Sequence, residues 1–283
     1  MADRCLLTIH AHPDDEASKG APTVARYGRD GVRTVLVCAT GGEAGDILNP
    51  AMDRPEVRER LTDVRAEELA VSAAAIGFDE VIMLGYRDSG MPDTPPNGHP
   101  DAFANAPFME AVERLVAIIR SNRPDVIITY ADDQQGYQHP DHLRVHDITL
   151  PAFDLAGVAS AFPDAGAPWT PKKLYYSMWS RRRMLATHMK MQELEVESPF
   201  DEKWFSRPSM DHRLTTRIDI HDTFSVRRDA LLAHRTQVDP QSPFWFGLPE
   251  DVAREVYPYE DYILARTRVA ITEPEHDLFA GIP

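Results

Sequence analysis

Four short apolar runs, rich in β-branched and aliphatic residues, recur through the first half of the chain at residues 6–10, 34–38, 81–84 and 126–130. Segments with the 3.6-residue spacing of an amphipathic helix lie between them, so the pattern predicts strands alternating with helices. Such alternation is typical of an α/β fold. We therefore predict a Rossmann-like, mostly parallel sheet flanked by helices, because parallel strands are joined by right-handed helical crossovers.

The clearest helical segment spans residues 56–76, and Gly77 is placed to end it. A second helix is predicted at residues 107–119. The apolar residues of the first helix lie near one face: Val57, Leu61, Val64, Leu69 and Val71.

Beyond about residue 170 the pattern predicts strands at residues 173–178 and 215–220 and a helix at 223–238. We find no repeat, so we interpret residues 1–283 as one domain, with an α/β core (1–170) and a C-terminal completion and cap (171–283). The proline-rich residues 90–107 form a long loop of the kind that often covers a pocket.

The formal charge is −15, from 30 basic and 45 acidic residues. A chain with this balance lacks the basic surface that nucleic acids and anionic membranes require, so we expect a small-molecule substrate and neither of those partners. We find no export signal or apolar run long enough to span a membrane, which favours a cytoplasmic protein. Cys5 and Cys38 lie in apolar runs and are expected to be buried free thiols. No feature indicates an oligomeric state.

Polar clusters follow each of the first four predicted strands. In chain order they are HAHPDDE, ATGGEAGD, GYRDSG and YADDQQGYQHPDH. Ligands of open parallel sheets bind beyond the carboxyl ends of the strands, so these clusters are expected to meet at one rim.

Two of these clusters contain His-Pro-Asp. His12 and Asp15 are three residues apart, and His142 belongs to the second cluster together with His139. Histidine and carboxylate ligands suit zinc, iron or manganese, and three protein ligands leave a position open for catalysis. Taken singly, each residue is more often a structural histidine or a helix cap, but two such segments at matching strand ends favour a metal site. Asp14 could accept a proton from water there, or simply cap a helix.

The chain resembles the LmbE-like, or GlcNAc-phosphatidylinositol deacetylase, family of zinc-dependent amide hydrolases. The resemblance covers nearly the whole chain, from the first strand to the last residues. Within the family, the lysine of DEASKG and the tail LFAGI favour the branch that cleaves mycothiol S-conjugates. The motifs that carry it are HAHPDDEASKG, GGEAGDILNPAM, RAEEL, RDSGMP, YQHPDH, FPDAGAPWTPKKLYY and LFAGI.

The resemblance implies that His12, Asp15 and His142 bind Zn²⁺, with Fe²⁺ as a possible occupant. Asp14 would be the general base that deprotonates water and then protonates the departing amine. The resemblance also implies three further catalytic residues. His139 would stabilise the oxyanion or act as the acid, and Asp141 would orient the ring of His139. Tyr137 would be a second donor to the tetrahedral intermediate. The residues expected to line the sugar and inositol pocket are Lys19, Glu43, Arg65 and Asp88.

The expected reaction is hydrolysis of the amide between glucosaminyl-inositol and an S-substituted N-acetylcysteine, in detoxification or natural-product biosynthesis. Three alternatives stay open. The protein could be a deacetylase of N-acetylglucosaminyl-inositol or another N-acetyl sugar, or a metal-holding protein without turnover. It could also be a non-haem Fe(II) oxygenase, since the facial triad of those enzymes has two histidines and one carboxylate as well. Gln135 and Gln138 depart from the usual family residues, which puts substrate choice in question more than chemistry.

Overall fold

The computed structural model describes residues 4–132 and 137–283. Within these ranges the strands form one sheet in the order β3-β2-β1-β4-β5-β7-β6. The first five run parallel, whereas β7 is antiparallel to both of its neighbours, so the predicted mostly parallel α/β sheet is confirmed. The strands are β1 (Cys5–His10), β2 (Arg33–Thr40), β3 (Glu80–Tyr86), β4 (Val126–Tyr130), β5 (Lys173–Met178), β6 (Thr216–Asp219) and β7 (Tyr259–Thr267).

Helices cover both faces of the sheet. Leu7 and Ile9 of β1 pack into an apolar cluster with residues of the helices that flank β4 in the sequence, whereas Leu6 packs on the opposite side. Because both faces are covered, β1 is a continuous apolar run rather than an alternating one. The α-helices are α1 (Asp15–Ser18), α2 (Ala21–Arg29), α3 (Pro55–Arg58), α4 (Leu61–Ile76), α5 (Phe108–Asn122), α6 (Pro140–Leu155), α7 (Arg181–Glu193), α8 (Glu202–Ser206), α9 (Val226–Ala233), α10 (Pro243–Phe246) and α11 (Glu250–Val256).

The arrangement of β1 and β4 positions the site. These strands are neighbours, but β1 is followed in the chain by β2 on one side and β4 by β5 on the other. The order of the sheet reverses between them, and this is where α/β proteins bind their ligands. The loop after β1 and the start of α6 after β4 therefore face the same crevice.

The helix predicted at residues 56–76 is divided into α3 and α4, and its buried face differs from the predicted one. Val71 is 60% exposed, whereas Arg65 and Glu68 are buried. The physical reason is that α4 borders the crevice, where its polar side chains find partners on other elements. Gly77 does end the helix, in the left-handed conformation that glycine adopts readily.

The second half of the chain contains a strand that the sequence analysis did not identify. β7 lies between β5 and β6, and its residues Glu260 and Asp261 are buried. Two buried acids conceal the apolar pattern of the strand. Their charges are compensated from other elements: Arg227 forms an ion pair with Glu260, and Ser180 donates to Asp261.

Two other segments are shorter or more ordered than predicted. The helix expected at residues 223–238 ends at Ala233, and the turn that follows borders the crevice. The loop at residues 90–107 contains two 3₁₀ turns and the buried Phe103. Its first residues, Gly90 and Met91, line the crevice, as expected for a loop beside a pocket.

Cys5 and Cys38 are buried and free, as predicted. Among the described residues, no helix has both the length and the apolar character needed to cross a membrane.

Candidate metal centre and active site

The turn after β1 places His12 and Asp15 side by side. Oδ2 of Asp15 accepts the backbone N–H of His12 at 3.1 Å and the Tyr130 hydroxyl at 2.7 Å. That hydroxyl in turn accepts the Ala11 N–H at 2.7 Å. Asp15 is thereby anchored to the ends of both β1 and β4. Tyr130 was predicted only as the end of a strand, and its position at a carboxyl end was the available signal.

Three buried side chains converge at this point. Nδ1 of His12 lies 3.4 Å and Nε2 of His142 lies 3.3 Å from Oδ2 of Asp15. One donor atom from each residue lies within 4.8 Å of the other two. The structure thus brings together the three residues expected to bind a metal, and their donor set suits zinc or iron.

Asp141 occupies a different place from the one that the resemblance implied. Its carboxylate contacts His12, whose Nε2 lies 3.1 Å from Oδ2, and accepts the Ser89 N–H at 2.9 Å. Only its backbone N–H reaches His139, donating to Nδ1 at 3.2 Å, because the first turn of a helix has free N–H groups. A carboxylate bound to Nε2 of His12 leaves Nδ1 of that ring available to a metal.

The pKa shifts of His12 and His142 are compatible with a cation bound between them. Burial lowers the pKa of His12, but hydrogen bonds to Asp141, Asp15 and Asp88 outweigh it and hold the pKa well above 6.5. Burial lowers the pKa of His142 below that value, so this ring is neutral and able to act as a ligand. Nδ1 of His142 is buried and has no hydrogen-bond partner among the described residues. The carboxylates around His12 therefore attract positive charge, which a proton or a metal ion can supply.

Asp14 lies beside this group with an unusual backbone. Its φ of 112° is in the left-handed region, which costs a residue with a side chain about 1–3 kcal/mol. Arg65 holds it there, with Nη2 3.3 Å from the Asp14 carboxylate and hydrogen bonds to the carbonyls of Pro13 and Gly42. Burial raises the pKa of Asp14 even though Arg65 opposes the shift. A carboxylate with a raised pKa is a better proton acceptor than an ordinary one.

A buried hydrogen-bond network, which the sequence analysis did not identify, holds the backbone of Asp14. Glu16 accepts the Asp14 N–H at 2.9 Å through one carboxylate oxygen. Its other oxygen forms hydrogen bonds with Ser72 of α4 and His234, which follows α9. Glu16 had no individual role in the sequence analysis, and no local pattern indicates the two residues that contact it.

Three of the four expected substrate-pocket residues line a cavity of about 360 Å³ that opens at the triad: Lys19, Arg65 and Asp88. Lys19 also donates to Oδ1 of Asp15 at 2.5 Å. Glu43 is not among the described residues that line this cavity. It accepts the backbone N–H of Asp88 at 3.0 Å and so supports a lining residue.

His139 and Tyr137 line the same cavity beside the triad. His139 is buried, and its ring centroid is 4.4 Å from that of His12. Burial, followed by the neighbouring His12 and His142, lowers the pKa of His139 to about 4. Because its Nδ1 accepts a backbone N–H, the neutral ring carries its proton on Nε2. Tyr137 is 55% exposed and lines the cavity.

The two departures from the family pattern are placed differently. Gln138 is exposed and directly precedes His139. Gln135 lies outside the described residues.

A scan against protein-family models matches residues 7–153 to the PIG-L family, described as GlcNAc-PI de-N-acetylase. The match includes the triad, Asp14 and His139. Among characterised proteins, a mycothiol S-conjugate amidase of Streptomyces coelicolor is 40% identical over 286 residues, covering 98% of this chain and 97% of the relative. A 1D-myo-inositol 2-acetamido-2-deoxy-α-D-glucopyranoside deacetylase of Catenulispora acidiphila is 39% identical over 300 residues, covering 99% and 97%.

Solved structures share the fold at lower identity. An N,N'-diacetylchitobiose deacetylase from Pyrococcus horikoshii matches with a TM-score of 0.64 and 17% identity, over 93% of this chain and 84% of that one. The protein TT1542 from Thermus thermophilus matches with a TM-score of 0.60 and 22% identity, over 96% and 98%. The family match and the full-length relatives agree with the motifs after β1 and β4, and the chain belongs to the PIG-L, or LmbE-like, family of de-N-acetylases.

Proposed function

We propose that this protein is a metal-dependent amidase that cleaves mycothiol S-conjugates into glucosaminyl-inositol and a mercapturic acid. The observation that carries the chemistry is a buried set of two histidines and one aspartate, with a second, more basic aspartate beside it, at the mouth of a polar cavity. The relative named as a conjugate amidase, which matches over nearly its whole length, supports the substrate.

His12, Asp15 and His142 are the residues that would hold Zn²⁺ or Fe²⁺. A metal ion held there supplies Lewis acidity, which activates water and polarises a carbonyl group. Asp14 takes the proton of the attacking water. Asp14 then delivers that proton to the nitrogen as the C–N bond breaks, so the sugar half leaves as a neutral amine. Arg65 orients the Asp14 carboxylate during both transfers.

His139 faces the same space with a proton on Nε2, which can be donated to the oxygen of the tetrahedral intermediate. The lowered pKa of His139 keeps the ring neutral, so it acts as a hydrogen-bond donor without adding a charge beside the metal ligands. Tyr137 would supply a second donor from the exposed rim. Asp141 positions His12 rather than His139.

Lys19, Arg65 and Asp88 would contact the sugar and inositol hydroxyls in the 360 Å³ cavity. Glu43 acts through the backbone of Asp88. Sugar recognition needs such polar groups, since each hydroxyl that leaves water requires a replacement hydrogen bond.

Deacetylation of N-acetylglucosaminyl-inositol is the second candidate. The relative from Catenulispora acidiphila has nearly the same identity as the amidase, and the polar cavity can accommodate the sugar of either substrate. Lys19 is the residue that we expect to favour the conjugate.

The purified protein, loaded with Zn²⁺ or Fe²⁺, should release amine from the bimane conjugate of mycothiol faster than from N-acetylglucosaminyl-inositol. Lys19→Ser should shift this preference towards the N-acetyl sugar. Release from the N-acetyl sugar alone would replace the proposal with the deacetylase. Oxygen consumption coupled to a cosubstrate would revive the oxygenase, and metal binding without any turnover would indicate a binding protein.

The proposal includes a cytoplasmic location and a role in detoxification or in trimming an adduct during natural-product biosynthesis. Both were expected from the sequence and stay predictions, as does the absence of nucleic-acid and membrane partners.

A further inference from the structure

A second cavity, of about 480 Å³, adjoins the metal centre. We call it the aromatic annex and define it by the residues that line it. It shares Lys19, Tyr137, His142 and Trp245 with the polar cavity, so the two spaces meet at the triad. The annex is lined by Lys19, Tyr130, Ala131, Tyr137, His142, Ser177, Met178, Trp179, Trp204, Arg207, Phe244 and Trp245.

The wall of the annex is built from packed aromatic rings. Trp179 stacks on Phe244 with ring centroids 5.4 Å apart and meets Trp245 edge to face at 5.5 Å. Phe244 and Trp245 are in turn 4.8 Å apart. Rings packed against each other hold one another's orientation, so they present a formed apolar surface.

The two cavities differ in chemistry. Of the described residues, those that carry charge in the annex are Lys19 and Arg207. The polar cavity contains several carboxylates, of which Asp46 and Asp88 are examples. A sugar–inositol group needs hydrogen-bonding partners and is therefore suited to the polar cavity, whereas an apolar group is better placed among the rings of the annex.

The annex is built from two parts of the chain. Trp179 directly follows β5, Trp204 lies in α8, and Phe244 and Trp245 lie in α10. Tyr130, Tyr137 and His142 come from the part of the chain that matches the family model, which ends at residue 153. That part thus supplies the metal ligands and some of the annex, and a later segment supplies its packed tryptophan and phenylalanine rings.

We propose that the aromatic annex binds an uncharged, ring-bearing group on the acyl side of the scissile amide. This inference rests on the proposed function and identifies the class of S-substituent that the amidase prefers. With the amide at the triad, the sugar half occupies the polar cavity and the thioether substituent extends across Tyr137 and His142 into the annex. An acetyl group has no substituent long enough to reach the rings.

The test compares two conjugates that differ only in the group on sulfur, S-benzyl and S-methyl mycothiol. The native protein should have the higher kcat/KM for the benzyl conjugate. Phe244→Ala should lower the benzyl-to-methyl ratio of kcat/KM about tenfold, because it removes a ring that contacts the substituent. The ratio does not depend on the fraction of folded enzyme, and Trp204→Ala provides a second variant with the same expected direction.

Phe108→Ala is the matched control. Phe108 is 39% exposed and Phe244 is 40% exposed, but Phe108 lies at the start of α5 and lines neither cavity. This variant should keep the native ratio. An unchanged benzyl-to-methyl ratio of kcat/KM in both Phe244→Ala and Trp204→Ala would overturn the proposal that the annex binds the substituent.

Failure of the proposed function is a separate result. If the native protein cleaves neither conjugate, the amidase proposal fails, and binding of S-benzyl-N-acetylcysteine by calorimetry then tests the annex alone. Binding that weakens about tenfold in Phe244→Ala but not in Phe108→Ala supports it. Equal binding by the three proteins, or no binding by the native protein, overturns it.

Discussion

Asp14 and Asp15 are neighbours in the chain, yet their carboxylates have opposite electrostatic environments. Burial raises the pKa of Asp14. Burial also acts on Asp15, but the charge of Lys19 and the contacts with His142 and His12 outweigh it and hold the pKa of Asp15 well below its usual range. Two acids whose pKa values are pushed apart can take different roles in one reaction. Here the permanently ionised Asp15 is suited to bind a metal, and Asp14 to exchange a proton.

Asp14→Asn tests this division at the scale of the residue. The variant should lose about 100-fold or more in kcat, because the amide cannot accept a proton. Its metal content should stay native, since Asp14 is not one of the proposed ligands. Asp46→Asn makes the same chemical change in the same cavity, and it should retain most of kcat. Undiminished turnover in Asp14→Asn would exclude Asp14 as the base.

At the scale of the element, β7 shows how a strand can contain charge and still occupy the interior of a sheet. Glu260 accepts hydrogen bonds from the Thr23 hydroxyl and backbone N–H and forms an ion pair with Arg227. Burial raises the pKa of Glu260, but Arg227 and Thr23 lower it more, so the pKa lies below 4.5. The ion pair joins β7 to α9, and the hydrogen bonds from Thr23 join β7 to α2.

Glu260→Gln should lower the free energy of unfolding by about 3–5 kcal/mol, because it leaves Arg227 buried without its counter-charge. Since the folded-state pKa of Glu260 is depressed, its contribution is complete above about pH 4.5 and is lost as the pH falls through the folded-state value. Urea unfolding at neutral and acidic pH measures both effects. Glu255→Gln removes an exposed acid from the preceding helix and should change stability little. An unchanged free energy of unfolding in Glu260→Gln would show that the ion pair does not stabilise the fold.

At the scale of the whole molecule, the reversal of strand order between β1 and β4 assembles the triad of proposed metal ligands. His12 and Asp15 follow one strand, and His142 follows the other. The triad therefore exists only when both strands are paired, and a metal bound there couples to global folding.

Adding Zn²⁺ or Fe²⁺ to the metal-free protein should raise its thermal stability, by about 2.7 kcal/mol when free metal is 100 times Kd. His142→Ala should lose most of this increase, whereas the exposed His212→Ala should retain it. Scanning calorimetry of the three proteins with and without metal measures the difference. An equal increase in His142→Ala would place the metal elsewhere.

The alternation of strands and helices, the polar rim and the three ligand candidates can be predicted from the sequence, because they depend on local patterns and on the shared direction of parallel strands. Which polar residues are buried depends on the folded chain. The polar face of α4, the acids of β7 and the contact between Glu16 and His234 are stable only because partners more than 30 residues away compensate them. The tertiary structure also placed the Asp141 carboxylate against His12 and brought residues from both halves of the chain together in the aromatic annex. Local periodicity records whether a side chain is apolar, but the partner of a buried charge is set by the folded chain.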